Sequence, residues 1–256
     1  MEKKQTQFPA EEVTLPSKGL LYPEDSPLRK GVIEMKYMTA REEDILTNAN
    51  FIKKGNVIDK LLQSLIVTPN FEYKQLLTGD KNAIMVAARI LGYGADYEIK
   101  RTHPETGIES EAKIDLSKIE DKPLNEKVVK EGKNEFEFTL PTSKRKITFK
   151  LLNQEDEIKI DKEVEGMQKI NKVASEGIIR MKHTILSING NYDTKEIRDF
   201  VENTMLARDA RALRQYINEI QPGINMDVDV EFKDGHVESN VNLPINLNFF
   251  WPDAGI

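Results

Sequence analysis

The sequence predicts an α+β fold built from two similar strand, helix and β-hairpin modules, with antiparallel strands packed around helical cores. Three observations predict it. Apolar residues switch between a period of two and a period of 3.6 along the chain, a DG dipeptide (Asp234, Gly235) sits between two alternating runs, and a pattern in the first half returns in the second. That pattern is VTLPSK followed by IEMKYMTAREEDI, then FTLPTSK followed by ITFKLLNQEDEI. Each copy passes from a TLP segment to a strand with lysine in fourth place, then to a polar cap and an acidic helical turn. Each half also closes on a hairpin, EIK and ES about Gly107, then EFK and ES about Gly235. The echo reads as an internal duplication, the competing reading being chance recurrence of short charged strings.

Residues 1–30 read as a docking arm. Its segment VTLPSKGLLYP holds two prolines that exclude a helix and a glycine suited to a turn, yet Leu15, Leu20, Leu21 and Tyr22 are too apolar for a linker. The arm must dock, on its own core or on a partner. In the second copy the stretch SKGLLYPEDSPLRKG shrinks to TSKRK, so GLLYP alone has no counterpart. Leu20, Leu21 and Tyr22 are therefore the expected partner contacts, with the prolines limiting the freedom lost on binding.

The first module spans residues 31–116. Ile33, Met35 and Tyr37 alternate with Glu34 and Lys36 as a half-buried strand, and Thr39 with Glu42 forms a capping box for the helix that follows. Val57, Ile58, Leu61, Leu62, Leu65 and Ile66 make one helical stripe; Ile84, Ala87, Ala88 and Leu91 make another, with Pro69 between them. Residues 97–100 and 112–116 pair as a hairpin around Pro104 and Gly107. Residues 117–133 are charged and weakly periodic, and read as a linker.

The second module spans residues 134–256. Residues 135–140 and 146–152 read as paired strands, Asn153 caps a helix, and a helical stripe runs through Ile178, Met181, Ile185 and Leu186. The last long helix carries Leu206, Ala210, Leu213, Ile217 and Ile220, ended by Pro222 and Gly223. Met226, Val228, Val230 and Phe232 then alternate, and Val237, Val241, Leu243, Ile245, Leu247 and Phe249 continue as a long terminal hairpin, with Pro244 marking an edge or bulge. The closing FFWPDAGI is too apolar for a fraying end, so Phe250 and Trp251 join the expected partner contacts.

Composition excludes several classes. Hydrophobic residues at 39% with 31% charged suit a folded domain, and a net charge of −6 argues against nucleic-acid binding by the chain as a whole. With no cysteine, disulfides and thiolate zinc sites cannot form. No run of apolar residues is long enough for a membrane span, and MEKKQTQFPAEE lacks a signal-peptide core. No GxSxG, HExxH or GxxxxGK[ST] occurs, and LGYG lacks a third glycine.

His103 and His236 fall at hairpin tips, where a zinc ribbon keeps its ligands, but without cysteine they read as exposed turn histidines. His183 reads as a helix-face residue. Glu42, Glu43 and Asp44, like Glu155, Asp156 and Glu157, are explained by helix N-termini, the alternative being a divalent-metal hydrolase or nuclease using Glu42 and Asp44. Arg208, Arg211 and Arg214 read as a solvated helix face offset by Asp209 and Glu219, the alternative being a weak nucleic-acid adaptor. No catalytic residue, cofactor or metal is assigned.

The strings LPSKGLLYP, TAREEDIL, KGNVIDKLL, LLTGDKNAIMVAARILGYGADYEI and NLPINLNFFWPDAGI together resemble the base plate protein family of T-even-like contractile-tailed phages, over residues 11–116 and the last thirty. The resemblance implies a non-enzymatic protein in the assembly or structure of the central base plate hub. Its partners would be other hub or tail-tube proteins, with no nucleic acid, and an oligomer stays open. It would be made in the host cytoplasm, and would either stay in the tail base plate or leave it after assembly. Related tail proteins look as if they carry cysteine pairs in such hairpins; here RTHPETG and KDG stand instead, so a structural zinc is not carried over.

Overall fold

A computed structural model describes residues 9–169, 175–243 and 245–250. In chain order the elements are β1 (Ala10–Thr14), β2 (Val32–Lys36), α1 (Ala40–Leu46), α2 (Ala49–Lys53), α3 (Val57–Leu65), α4 (Thr78–Tyr93), β3 (Asp96–Thr102), β4 (Glu109–Asp115), β5 (Phe136–Thr139) and β6 (Lys146–Phe149). They continue as α5 (Gln154–Lys169), α6 (Glu176–Thr184), β7 (Ile185–Ile188), α7 (Thr194–Asp199), α8 (Ala207–Ile220), β8 (Asp227–Phe232), β9 (Val237–Asn242) and α9 (Leu247–Phe250). The architecture is α+β with antiparallel sheets.

The periodicities place most elements. In β2 Ile33 and Met35 are buried and Glu34 is exposed, and the stripe of α3 buries Leu61, Leu62 and Leu65. Two expectations change. Ile185 and Leu186 leave the helix and start β7, because Ile185 pairs with Phe149 and the sheet ladder overrides the helical stripe. The terminal run is not one long strand: β9 stops at Asn242, and Leu247 and Phe249 fall in α9. A strand would send Phe249 and Phe250 to opposite faces, whereas the helical turn buries both at 0% exposure. Pro244 lies outside the described residues.

The sheets are β1-β2, β3-β4-β8-β9 and β5-β6-β7. The four-stranded sheet joins the two hairpins, with Ala112 opposite Phe232 and Lys113 opposite Glu231. A buried apolar cluster runs from Leu15 to Phe250 through both halves. Residues 117–133 are stitched into this body. The Lys122 amide donates to the Gly223 carbonyl, the Asn225 amide to Glu120 and the Gly132 amide to Leu20. Their charges, which with the weak periodicity mark them as a linker, pair with the arm as Lys18–Glu126 and Arg29–Glu131.

The echoed strings adopt the same local structure. Val13 faces Ile33 as Phe138 faces Ile147, Lys18 and Lys144 both take a positive φ (52° and 60°), and Met35 meets Ile66 as Phe149 meets Ile185. The lysine in fourth place of each echoed strand reaches the third residue of the next helix: Lys36 Nζ to Glu42 at 2.9 Å, Lys150 Nζ to Asp156 at 2.7 Å. Both carboxylates also accept from the amide of the cap residue, Thr39 or Asn153. The halves are not related by a two-fold axis. A two-fold would pair β4 with β9, its counterpart, but β4 pairs with β8.

Candidate functional site

Each half has a long helix, α4 or α8, with a buried aspartate at its third position. Asp80 accepts from the Ser17 amide (2.9 Å), the Ser17 hydroxyl (2.7 Å) and the Tyr22 hydroxyl (2.6 Å). Asp209 accepts from the amides of Thr142 (2.7 Å) and Ser143 (3.0 Å). In both halves the loop after TLP is clamped onto a helix start, where a carboxylate is favoured by the macrodipole. Burial pushes the Asp80 carboxyl above its ordinary range in spite of its donors. Burial opposes ionisation of Asp209 as well, but the Thr142 and Ser143 donors outweigh it and hold that carboxyl low. Neither clamp is anticipated by the sequence reading; the signal is LLTGD and MLARD at the head of the last helical stripe of each half.

The expected partner contacts divide. Leu21 and Tyr22 are buried at 2% and 3% exposure, and the Tyr22 hydroxyl also accepts from the Leu77 amide at 3.0 Å. The apolar part of the arm thus docks on the chain's own core. Its physical cause is the helix start of α4, whose amide and carboxylate need partners once water is excluded. Leu20 is half-buried. Phe250 is buried edge-on to Phe249, with ring centroids 5.1 Å apart. Trp251 lies outside the described residues.

Glu42, offered by the sequence as a metal carboxylate, is fully buried and accepts from Lys36 Nζ, Thr39 Oγ1 (2.6 Å) and Ser64 Oγ (2.7 Å). Burial opposes its charge, but these donors hold its pKa at about 2. Thr39 and Glu42 close the capping box expected from the sequence, and the Thr39 amide and hydroxyl both donate to the Glu42 carboxylate. Asp44 is exposed on the same helix.

The two hairpin tips meet because β4 pairs with β8. His103 is buried at 3% exposure rather than exposed, packs edge-on to Phe232, and stands 4.8 Å from the His236 ring between centroids. Its Nδ1 accepts from the Glu105 and Thr106 amides, and Nε2 lies 3.2 Å from Asp234 Oδ2. His183 Nε2 lies 3.1 Å from Glu163. Among the described residues no group of three or more histidine or carboxylate side chains is arranged to hold a metal ion. No helix among them is long and apolar enough to cross a membrane.

Arg208, Arg211 and Arg214 are exposed and form no ion pair among the described residues. Asp209, read from the sequence as their neutraliser, is turned inward onto Thr142 and Ser143. The corresponding start of α4 is covered. Leu77 is 3% exposed where Leu206 is 47%, and a Cβ on Gly79 would stand 1.8 Å from the Pro222 carbonyl oxygen, where α8 carries Arg208. Of the two helix starts in equivalent positions, that of α4 is closed and that of α8 is open among the described residues.

A family model described as T4 bacteriophage base plate protein matches residues 12–251. No curated protein and no solved structure gives a significant match. The matched span includes both echoed segments, both aspartate clamps and the residues between the halves that carry the least distinctive sequence. The chain belongs to the T4 bacteriophage base plate protein family, a bacteriophage tail structural family.

Proposed function

We propose that this base plate protein acts without catalysis, in the assembly or structure of the central hub, through contacts with other hub or tail-tube proteins. The observation that carries the non-catalytic reading is the use made of its buried acids. Glu42, Asp80, Asp156 and Asp209 each spend their oxygens on amides, hydroxyls or a lysine that fix a loop or strand to a helix start. Leu20 and Trp251 are the proposed contacts at the two ends, while Leu21, Tyr22 and Phe250 are buried in the core. Synthesis in the host cytoplasm precedes incorporation into the tail.

Complementation of a phage lacking this protein tests the reading. Leu20→Ser with Trp251→Ser is expected to leave the melting curve intact and to lower hub assembly, seen as fewer complete base plates by electron microscopy. Wild-type assembly from that variant removes these residues as contacts. Calorimetric titration with magnesium and manganese addresses the catalytic alternative, and stoichiometric binding at Glu42 or Asp44 would sink the non-catalytic reading.

A further inference from the structure

Within the chain, the second half covers the helix start of the first. Leu77 bridges Asn153 in antiparallel fashion, the Thr78 amide donates to the Leu152 carbonyl (3.0 Å), and the Gln154 amide donates to Leu76 (2.9 Å). The Thr78 hydroxyl meets the Glu157 carboxylate at 3.2 Å. Residues 76–78 thus run beside residues 152–154, the junction between β6 and α5.

Both sides of this contact have counterparts, and both counterparts are open. Residues 205–207, at the start of α8, correspond to 76–78; residues 38–40, between β2 and α1, correspond to 152–154. Among the described residues, the Met205 carbonyl, the Ala207 amide, the Met38 carbonyl and the Ala40 amide take no partner of the kind their counterparts take. Leu206 is 47% exposed, and Ala40, Glu43 and Asp44 are exposed. The four-stranded sheet is open in the same sense, with the outer sides of β3 and β9 unpaired among the described residues.

We propose that a second copy of the chain fills this gap, its residues 38–40 seated on residues 205–207 of the first, so that the contact made inside each molecule is repeated between molecules. Charge supports this occupant. The exposed turn of α1 carries Arg41, Glu43 and Asp44, with a net negative charge, and the seat carries Arg208 and Arg211, which form no ion pair among the described residues. Glu43 holds the position of Glu157, which in the intramolecular contact touches Thr78, the position of Ala207. Because the two surfaces differ, the association is head to tail, and it closes into a ring or extends as a filament. The proposal does not depend on a role in the hub.

Sedimentation velocity of the full chain over a concentration series at low salt is the test, with melting curves confirming that each variant folds. Wild type is expected to form species larger than a dimer, R208E/R211E and E43R/D44R alone are expected to stay monomeric, and their equal mixture is expected to recover the association. The absence of cysteine allows a second readout: Ala40→Cys with Leu206→Cys in one chain should yield a ladder of disulfide-linked oligomers under mild oxidation, which either substitution alone should not. A wild type that remains monomeric, association that stops at a dimer, or association untouched by both charge reversals would each overturn the proposal. DNA retention lost in R208E/R211E, without self-association, would assign the arginines to nucleic acid instead.

Discussion

Asp80 and Asp209 occupy the same position in the two halves, both fully buried, yet their carboxyls are displaced in opposite directions. Asp209 receives two backbone amides, fixed donors that favour the charged form. Asp80 receives one amide and two hydroxyls, one of them from Tyr22 on the extension that only the first copy has. That extension closes the site over Asp80, and desolvation wins there. The same helix-start position is thus clamped by the loop after TLP in both halves, with burial raising the one acid and amide donors holding the other low.

The largest way to break the comparison is at the contact only the first helix start makes. Gly79→Ala drives a Cβ into the Pro222 carbonyl and is expected to cost about 3 kcal/mol by urea unfolding. Arg208→Ala at the equivalent open position should change stability by no more than about 0.5 kcal/mol. Equal effects would mean that the two starts are not closed and open forms of one design. Removing the hydroxyl unique to the first clamp, Tyr22→Phe, leaves the Leu77 amide without its acceptor and Asp80 Oδ2 with the Ser17 hydroxyl alone, and is expected to cost about 2 kcal/mol in the same assay.

The opposite carboxyl shifts predict opposite pH dependences. Asp209 has a folded pKa below its unfolded value, so its stabilisation is present above the ordinary aspartate range and is lost as pH falls through it. Asp80 has a folded pKa above its unfolded value, so its contribution is greatest in acid and declines as pH rises through that range. Urea midpoints between pH 3 and pH 7 should therefore show Asp209→Asn removing a loss on the acid side and Asp80→Asn removing a decline toward neutrality. Slopes of the same sign would contradict the assignment. A smaller loss than at either substitution of the first clamp is expected at the cap, where Thr39→Ala should cost about 1 kcal/mol in thermal unfolding.

Local structure was legible where one periodicity or one cap decides it. The alternation at Ile33 and Met35, the stripe of α3 and the capping residue Asn153 all follow from neighbours within a few positions. The TLP echo pointed to the repeated loop and strand, but not to Asp80 and Asp209, since an acid in a first helical turn already has a sufficient explanation. GLLYP reads from composition as a segment that docks on the chain's own core or on a partner, and composition does not distinguish the two; in the structure Leu21 and Tyr22 lie in the core, with Tyr22 on the distant Asp80. The joining of the hairpins was hidden because it rests on a short pairing, Ala112 with Phe232 and Lys113 with Glu231, between strands far apart in the chain.

That short pairing bears on how the protein is made. Translation delivers the first hairpin and the helix start of α4 long before β8 and residues 152–154 exist to cover them. Through that interval the outer side of β4 is a bare strand edge, able to recruit any extended segment nearby. A chain cut short between its halves keeps this edge for good, so premature termination should yield a sticky product rather than an inert half, and only the completed chain conceals it.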